Sequence, residues 1–302
     1  MKSSGQGIFF HRVAEKSTLA EWLTGAGYEQ FLHLCPFGAV YLNHQRVSSL
    51  DQLLEPGDIL RLHTQPRRFI EPAEPVERML IAETKDFLIV NKPAGFPVHA
   101  TVDNLFENCA SWFARQLGER LWATHRLDVG TEGLLVLARS TRARDQFHME
   151  LQQRGVRKKY SALVPPQLTP FKLTKGEELR HWMKSSDRAP RELSNWEKPG
   201  WKICLAKVLD FCRFERATEI SLELLTGRTH QLRTQLAQLG LPVLGDAMYG
   251  SKENWDPPGG WALRATALRF SGGEFTLPRW NEADFSSRCR SATCRTANSI
   301  VP

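Results

Sequence analysis

The stretch HRLDVGTEGLLVLAR, from His125 to Arg139, constrains this chain more than any other. Leu134 to Ala138 is apolar at every position, so a strand there carries hydrophobic side chains on both faces and must be covered on both. The residues before it are of the opposite kind. Arg126 and Asp128 stand two apart in a loop punctuated by Gly130 and Gly133. In extended backbone, residues two apart point to the same side, so a cation and a carboxylate would project together from the rim of a buried sheet. A rigid strand beneath a polar loop is a common way to carry a site. On spacing alone, a turn aspartate paired with a surface arginine explains the pattern at least as well.

The rest of the chain divides by pattern. Residues 10–66 read as a small α+β unit, in which Leu19, Trp22, Leu23 and Ala26 recur at helical spacing. Two short strands flank the turn pair Asn43 and His44. A Pro-Gly-Asp turn then opens a strand with Ile59 and Leu62 as its apolar anchors. Residues 67–78, polar and marked by proline, form an expected linker. A larger unit spans 79–280. Its first two apolar runs flank Thr84, Lys85 and Asp86, and Pro93 ends the second. Residues 103–118 read as an amphipathic helix, with Asn104 and Glu107 as a capping pair and Gly118 at its close.

A second helix runs from Ser140 or Thr141 to Gly155, followed by a strand through Tyr160. Residues 165–199 predict an excursion with little regular structure. Paired strands follow, with Ile220, Leu222 and Leu224 alternating against Ser221 and Glu223. A helix with Leu232, Leu236 and Leu239 on its buried stripe ends at Gly240 and Pro242. Residues 281–302 are polar and pattern-free, which predicts a disordered tail. Strands mixed with single helices, rather than strict alternation, predict an α+β fold with a mostly antiparallel mixed sheet.

Composition narrows the function classes. No apolar stretch approaches the ~18 residues of a membrane-spanning helix, and no signal-peptide pattern is evident, so a soluble cytoplasmic protein is expected. The six cysteines form no Cys-x-x-Cys pair, and no histidine spacing completes a zinc motif; neither metal nor disulfide is predicted. A net charge of +7 fits a polyanionic partner, because cations that neutralise phosphates gain from counterion release. A monomer is the default.

A second polar constellation lies in LLTGRTHQLRTQLAQLG. Thr226 or Thr229 can cap the coming helix, on which Thr229, His230 and Arg233 share a face by three- and four-residue spacing. That face is offset from the leucine stripe, so Arg233 is expected at the edge of the core, its head toward a cleft. A solvated helix face fits the same spacing.

Together, HRLDVGTEGLLVLARS, KKYSALV and LLTGRTHQLRTQLAQLGLPVLGDAMYG resemble three motifs of the RluA family of RNA pseudouridine synthases, and DFLIVNKPAGFPVH resembles the family's lead-in. The four occur in family order over about two-thirds of the chain, a far more specific signal than one short pattern. The resemblance implies a pseudouridine synthase fold acting on structured RNA, rRNA or tRNA, with no cofactor and no metal. It implies Asp128 as catalytic carboxylate, Tyr160 as active-site tyrosine and Arg233 as the aspartate's partner. Arg126 falls on the arginine that helps displace the target base, and His125, Thr131, Arg228 and His230 fall among substrate- or RNA-binding positions. Residues 10–66 resemble an S4-like RNA-binding domain through GAVYLNHQRV and LEPGDIL, without that module's usual Arg-Leu-Asp opening.

Two departures stand out. Thr131, Glu132 and Gly133 occupy the place of the family's usual Thr-Ser-Gly, adding a carboxylate four residues from Asp128; and 166–200 follows no family pattern. Two rival functions fit less. A non-catalytic RNA-binding or ribosome-associated module leaves Asp128, Tyr160 and Arg233 unexplained as a set. A hydrolase using Asp128 with His125 or His230 lacks an activated-nucleophile motif.

Overall fold

The computed structural model describes residues 2–4, 7–166, 173–186 and 188–290. The chain divides into two compact units: Met1–Glu71 with His99–Gly118, and Pro72–Val98 with Glu119–Pro302.

The first unit is built on a five-stranded antiparallel sheet in the order Lys2–Ser4, Ile8–Arg12, Ile59–His63, Val40–Leu42, Gln45–Val47. Asn43 and His44 both take positive φ (46° and 71°), the geometry of a primed hairpin turn. Leu19, Leu23, Leu34, Val40, Leu60 and Leu62 belong to its core. Ile59, expected as an anchor, is 42% exposed, because the period of two that buries Leu60 and Leu62 points it outward. The helical spacing of Leu19, Trp22, Leu23 and Ala26 falls on Leu19–Gly25, started by a capping box between Thr18 and Glu21; a one-turn 3-10 segment, Glu29–Phe31, separates it from Leu34–Phe37.

The expected linker is tied down and the boundary is not a single cut. Asp103 accepts from Arg67, and Glu107 from Arg68, which brings 99–118 back to this unit. Burial resists Asp103's charge, yet bonds from Arg67 and Thr101 outweigh it and lower its pKa to about 2. Asn104 and Glu107 do bond reciprocally, but in a turn ahead of the helix; Cys109–Leu117 is capped by Asn108 and closed by Gly118 at φ 66°.

The second unit holds an eleven-stranded sheet. Its main path runs Leu193–Ser194, Glu178–Met183, Lys202–Arg213, Thr218–Leu224, Arg157–Val164, Leu263–Phe270, Glu132–Ala138, Phe87–Lys92, Leu80–Glu83. All pairings along it are antiparallel except one: Glu132–Ala138 runs parallel to Leu263–Phe270, through Glu132 opposite Arg264 and Gly133 opposite Ala265. Every residue of Glu132–Ala138 is buried, as its apolar run requires. At the parallel junction Gly133 has φ 108°, and a Cβ there would lie 2.3 Å from the Ala265 carbonyl oxygen. Only glycine lets the two strands meet where the Asp128 loop enters the sheet. Helix Thr141–Gln152, capped by Ser140, buries Phe147 against Phe87 and Phe270.

Three expectations fail here for identifiable reasons. The excursion at 165–199 contains the strand Glu178–Met183, whose buried Leu179, His181 and Met183 alternate; a polar His181 in the middle hides that pattern. Residues 167–172 of the excursion lie outside the described residues. The polar face expected for Thr218–Leu224 is not solvated, since Glu219 binds Ser161 and Arg279, and Glu223 binds Arg157.

The third is the tail. Residues 282–288 form a helix with an Asn281–Asp284 capping box and a buried Phe285, and Cys289–Arg290 pairs with Asn254–Trp255. Its anchor is the unusual Glu132, which accepts from Arg264 Nε at 2.7 Å and from Arg288 Nη1 at 2.6 Å. Residues 291–302 lie outside the described residues. Among those described, no helix is long and apolar enough to cross a membrane.

Removing one member of a buried ion pair strands the other. Glu132→Ala is therefore expected to lower unfolding stability by about 3 kcal/mol in urea titration and to raise amide exchange selectively at 282–290. Wild-type protection of those amides in the variant would contradict the anchoring role.

Candidate active site

Asp128 sits in a loop braced from several sides. Lys92, fully buried at the end of its strand, donates to the carbonyls of Val129 (2.9 Å) and Pro93 (2.8 Å). Gly95 N–H donates to the same Val129 carbonyl. Gly130 is required by close approach: a Cβ there would lie 2.5 Å from both the Gly259 carbonyl oxygen and the Trp261 ring. Trp261 closes the brace, donating from its indole to Thr131 Oγ1 at 2.9 Å. The loop thus presents the Asp128 carboxylate, about one-fifth exposed, in a fixed position.

The partner comes from helix Gln231–Gln238. Its start is not the expected threonine cap. His230 occupies the N-cap in the left-handed region (φ 61°), and Thr226 instead bonds the Gln231 side chain. Thr229 therefore precedes the helix and shares no helical face with Arg233. The first two turns turn polar residues inward: Gln235 Nε2 donates to the Leu179 carbonyl, and Gln231 Nε2 to the Leu205 carbonyl. Arg233 follows them and is 1% exposed, well inside the core rather than at its edge.

Such a cation needs compensation on all its donors. Asp246, equally buried, accepts from Nε at 2.6 Å and Nη2 at 2.9 Å, a bidentate pair. Nη1 donates to Asp128 Oδ2 at 3.1 Å. The guanidinium carbon lies 3.6 Å from the centre of the Trp261 ring and 5.0 Å from that of Tyr249. Burial opposes the charge, but Asp246 and then Asp128 outweigh it and leave the Arg233 pKa raised.

Tyr160 lies beside this chain, almost wholly buried; burial first, and the Asp128 charge second, push its hydroxyl pKa upward. His230 Nδ1 lies 2.9 Å from Tyr249 Oη, which also accepts from the Arg191 backbone N–H. Burial leads the causes that lower the His230 pKa, so its ring is neutral at neutral pH.

Of the residues singled out in the sequence, Asp128, Tyr160, Arg233 and His230 are brought together. Thr131 is buried as a brace under Trp261. Arg126 and Arg228 are exposed, with Arg228 Nε 3.4 Å from the Ile203 carbonyl. His125 is not at the surface of the site: its Nε2 accepts from the Val136 backbone N–H and its ring stacks on Phe147, so it pins the core. Burial holds its pKa well below the ordinary histidine value. Sequence reading missed Asp246, Trp261, Tyr249 and Lys92. Asp246 follows a glycine within the quoted GDAMYG segment, a weak cue for a placed carboxylate. Among the described residues, no group of three or more His, Cys, Asp and Glu converges as a metal site would need.

Comparison with known proteins gives the family to which this fold belongs. Residues 86–238 match the family described as RNA pseudouridylate synthase, and this chain belongs to that family. An RNA pseudouridine synthase of Arabidopsis thaliana chloroplasts is 34% identical over 228 residues, covering 68% of this chain and 47% of that protein; this chain spans about half the length of that relative. An uncharacterized RNA pseudouridine synthase of Synechocystis is 30% identical over 225 residues, 74% of this chain and 73% of that protein. In fold, the chain resembles human RNA pseudouridylate synthase domain containing 1, with a TM-score of 0.55 at 23% identity over 74% of this chain and 92% of that one.

Two outcomes follow from the charge arrangement. Asp246→Ala leaves Arg233 with Asp128 alone, and a loss of about 3 kcal/mol in urea unfolding is expected; an unchanged midpoint would show that Asp246 is dispensable. For pH, His125 and His230 bind protons less readily folded than unfolded. Their contribution to stability is intact above the unfolded histidine pKa and is lost as pH falls below it toward the folded values. Urea midpoints at about pH 7.5 and about pH 5.5 check this, with the lower expected at the acid end and the gap narrowed in His125→Gln.

Proposed function

We propose that this chain isomerises specific uridines in structured RNA to pseudouridine, with Asp128 as the reacting carboxylate. The observation that carries the reading is the buried chain from Asp246 through Arg233 to Asp128, ending beside Tyr160. The RNA is ribosomal or transfer RNA, and the setting is the cytoplasm.

The reaction breaks the N1–C1′ bond of a uridine and forms a C5–C1′ bond; the proton leaving C5 is replaced by one on N1, and nothing is gained or lost. A carboxylate suits the first step, as nucleophile on the sugar carbon or as base on the sugar. Arg233 keeps that carboxylate charged and oriented as the base enters and water leaves. It does not transfer a proton, because its own proton is held more tightly than usual. Tyr160 offers its ring to the uracil. Its hydroxyl is a poor base, since both burial and Asp128 raise its pKa.

A uridine in folded RNA must be extruded, at a cost of a few kcal/mol. Arg126, exposed two residues from Asp128, fills the gap left behind. The first unit is read as an S4-like RNA-binding domain: GAVYLNHQRV forms its hairpin, LEPGDIL leads into its central strand, and the excess of cations suits phosphate contact.

Tritium release from rRNA and tRNA transcripts labelled at uracil C5 tests the chemistry. Asp128→Asn is expected to release none while binding RNA within a few-fold of wild type. Tyr160→Phe should retain release within about tenfold and Tyr160→Ala should lose it, as a ring-stacking role requires. Wild-type release by Asp128→Asn would remove Asp128 from the reaction.

A further inference from the structure

The excursion that follows no family pattern is attached to the rim of the site. The backbone N–H of Arg191 donates to Tyr249 Oη at 2.9 Å, and Tyr249 in turn faces Arg233 and His230. The Arg191 side chain has no carboxylate partner among the described residues, and its Nε is buried without a hydrogen-bond partner there. Its charge nevertheless reaches His230. Lys184, on the same excursion, differs: Glu192 neutralises it at 3.0 Å. An unpaired cation held at the rim of a site is arranged to receive an anion.

Five residues on, Trp196 is 78% exposed, the most exposed of the tryptophans. It is not on a loose tip. Its backbone N–H donates to the buried Ser194 Oγ, and Ser194 lies opposite Trp182 in the sheet. An indole kept in water on ordered backbone gains nothing from burial and leaves its ring face open to a stacking partner. Any RNA that places a uridine against Asp128 carries phosphates on both sides of that uridine across this rim, and every base has a face on which an indole can stack.

We propose that residues 188–198 form a strand-holding arm: Arg191 takes a phosphate flanking the target uridine, and Trp196 stacks on an unpaired base of the same RNA strand. The proposal rests on the reading of the chain as a pseudouridine synthase and adds the residues that hold the substrate strand outside the reacting pocket.

Fluorescence anisotropy of the full-length protein with a fluorescein-labelled uridine 12-mer, across a salt series, tests it. Trp196→Ala should weaken binding by on the order of tenfold and Trp196→Phe by much less, as stacking requires. Arg191→Gln should weaken binding and reduce the slope of log affinity against log salt by about one phosphate. Binding by either Trp196→Ala or Arg191→Gln that matches wild type in affinity and slope overturns the arm, as does a wild type that does not bind the 12-mer. Asp128→Asn, assayed in parallel for binding and for tritium release, scores the chemical reading separately: release by that variant sinks the chemistry while leaving the arm's binding result to stand or fall by itself.

Discussion

A guanidinium at 1% exposure would be expelled or would unravel its surroundings if it were not compensated, and much of the second unit is arranged around compensating Arg233. Two carboxylates and two aromatic faces surround it. The carboxylates are not equivalent. Asp246 is as buried as the arginine and makes two bonds, whereas Asp128 makes one and keeps a fifth of its side chain open. The difference suits the proposed division of labour: one carboxylate neutralises the cation inside the core, and the other is oriented by it while keeping part of its side chain open.

The loop carrying Asp128 is rigid for a different reason. Its carbonyls and glycines are consumed by contacts below and beside it: Lys92 at Val129, Trp261 against Gly130, and Gly133 against the Leu263–Phe270 strand. A carboxylate on such a loop has little conformational freedom left to lose, the preorganisation that the proposed reaction calls for. The departure at Glu132 fits the same frame. Its charge is absorbed by Arg264 and Arg288, and it fastens the C-terminal helix to the sheet.

Local physics made part of this legible. The apolar run at 134–138 had to be a strand covered on both faces; Asn43 and His44 had to turn; and Ser140 capped the helix it preceded. The polar residues of the loop and of the Arg233 helix stood out because they interrupt those patterns. What escaped reading is set by distant contacts. Asp246 is thirteen residues from Arg233, and the glycine before it is a weak cue that does not mark it as a buried counter-ion. The tail is ordered through an ion pair 156 residues away, so its own composition reads as disorder. His125 adjoins the Asp128 loop in sequence, yet the strand's backbone takes its ring into the core. The leucine stripe alone puts Arg233 at the edge of the core, whereas the helix also buries Gln231 and Gln235, and Arg233 with them.

The central claim, that Asp128 held by Arg233 converts uridine to pseudouridine in cellular RNA, is tested most directly by transcriptome-wide pseudouridine mapping. Three strains suffice: one with the intact protein, one lacking it, and one expressing Asp128→Ala at normal abundance. The account predicts at least one site in rRNA or tRNA that is present in the first strain and missing from both others. A site lost without the protein but retained with Asp128→Ala would contradict it.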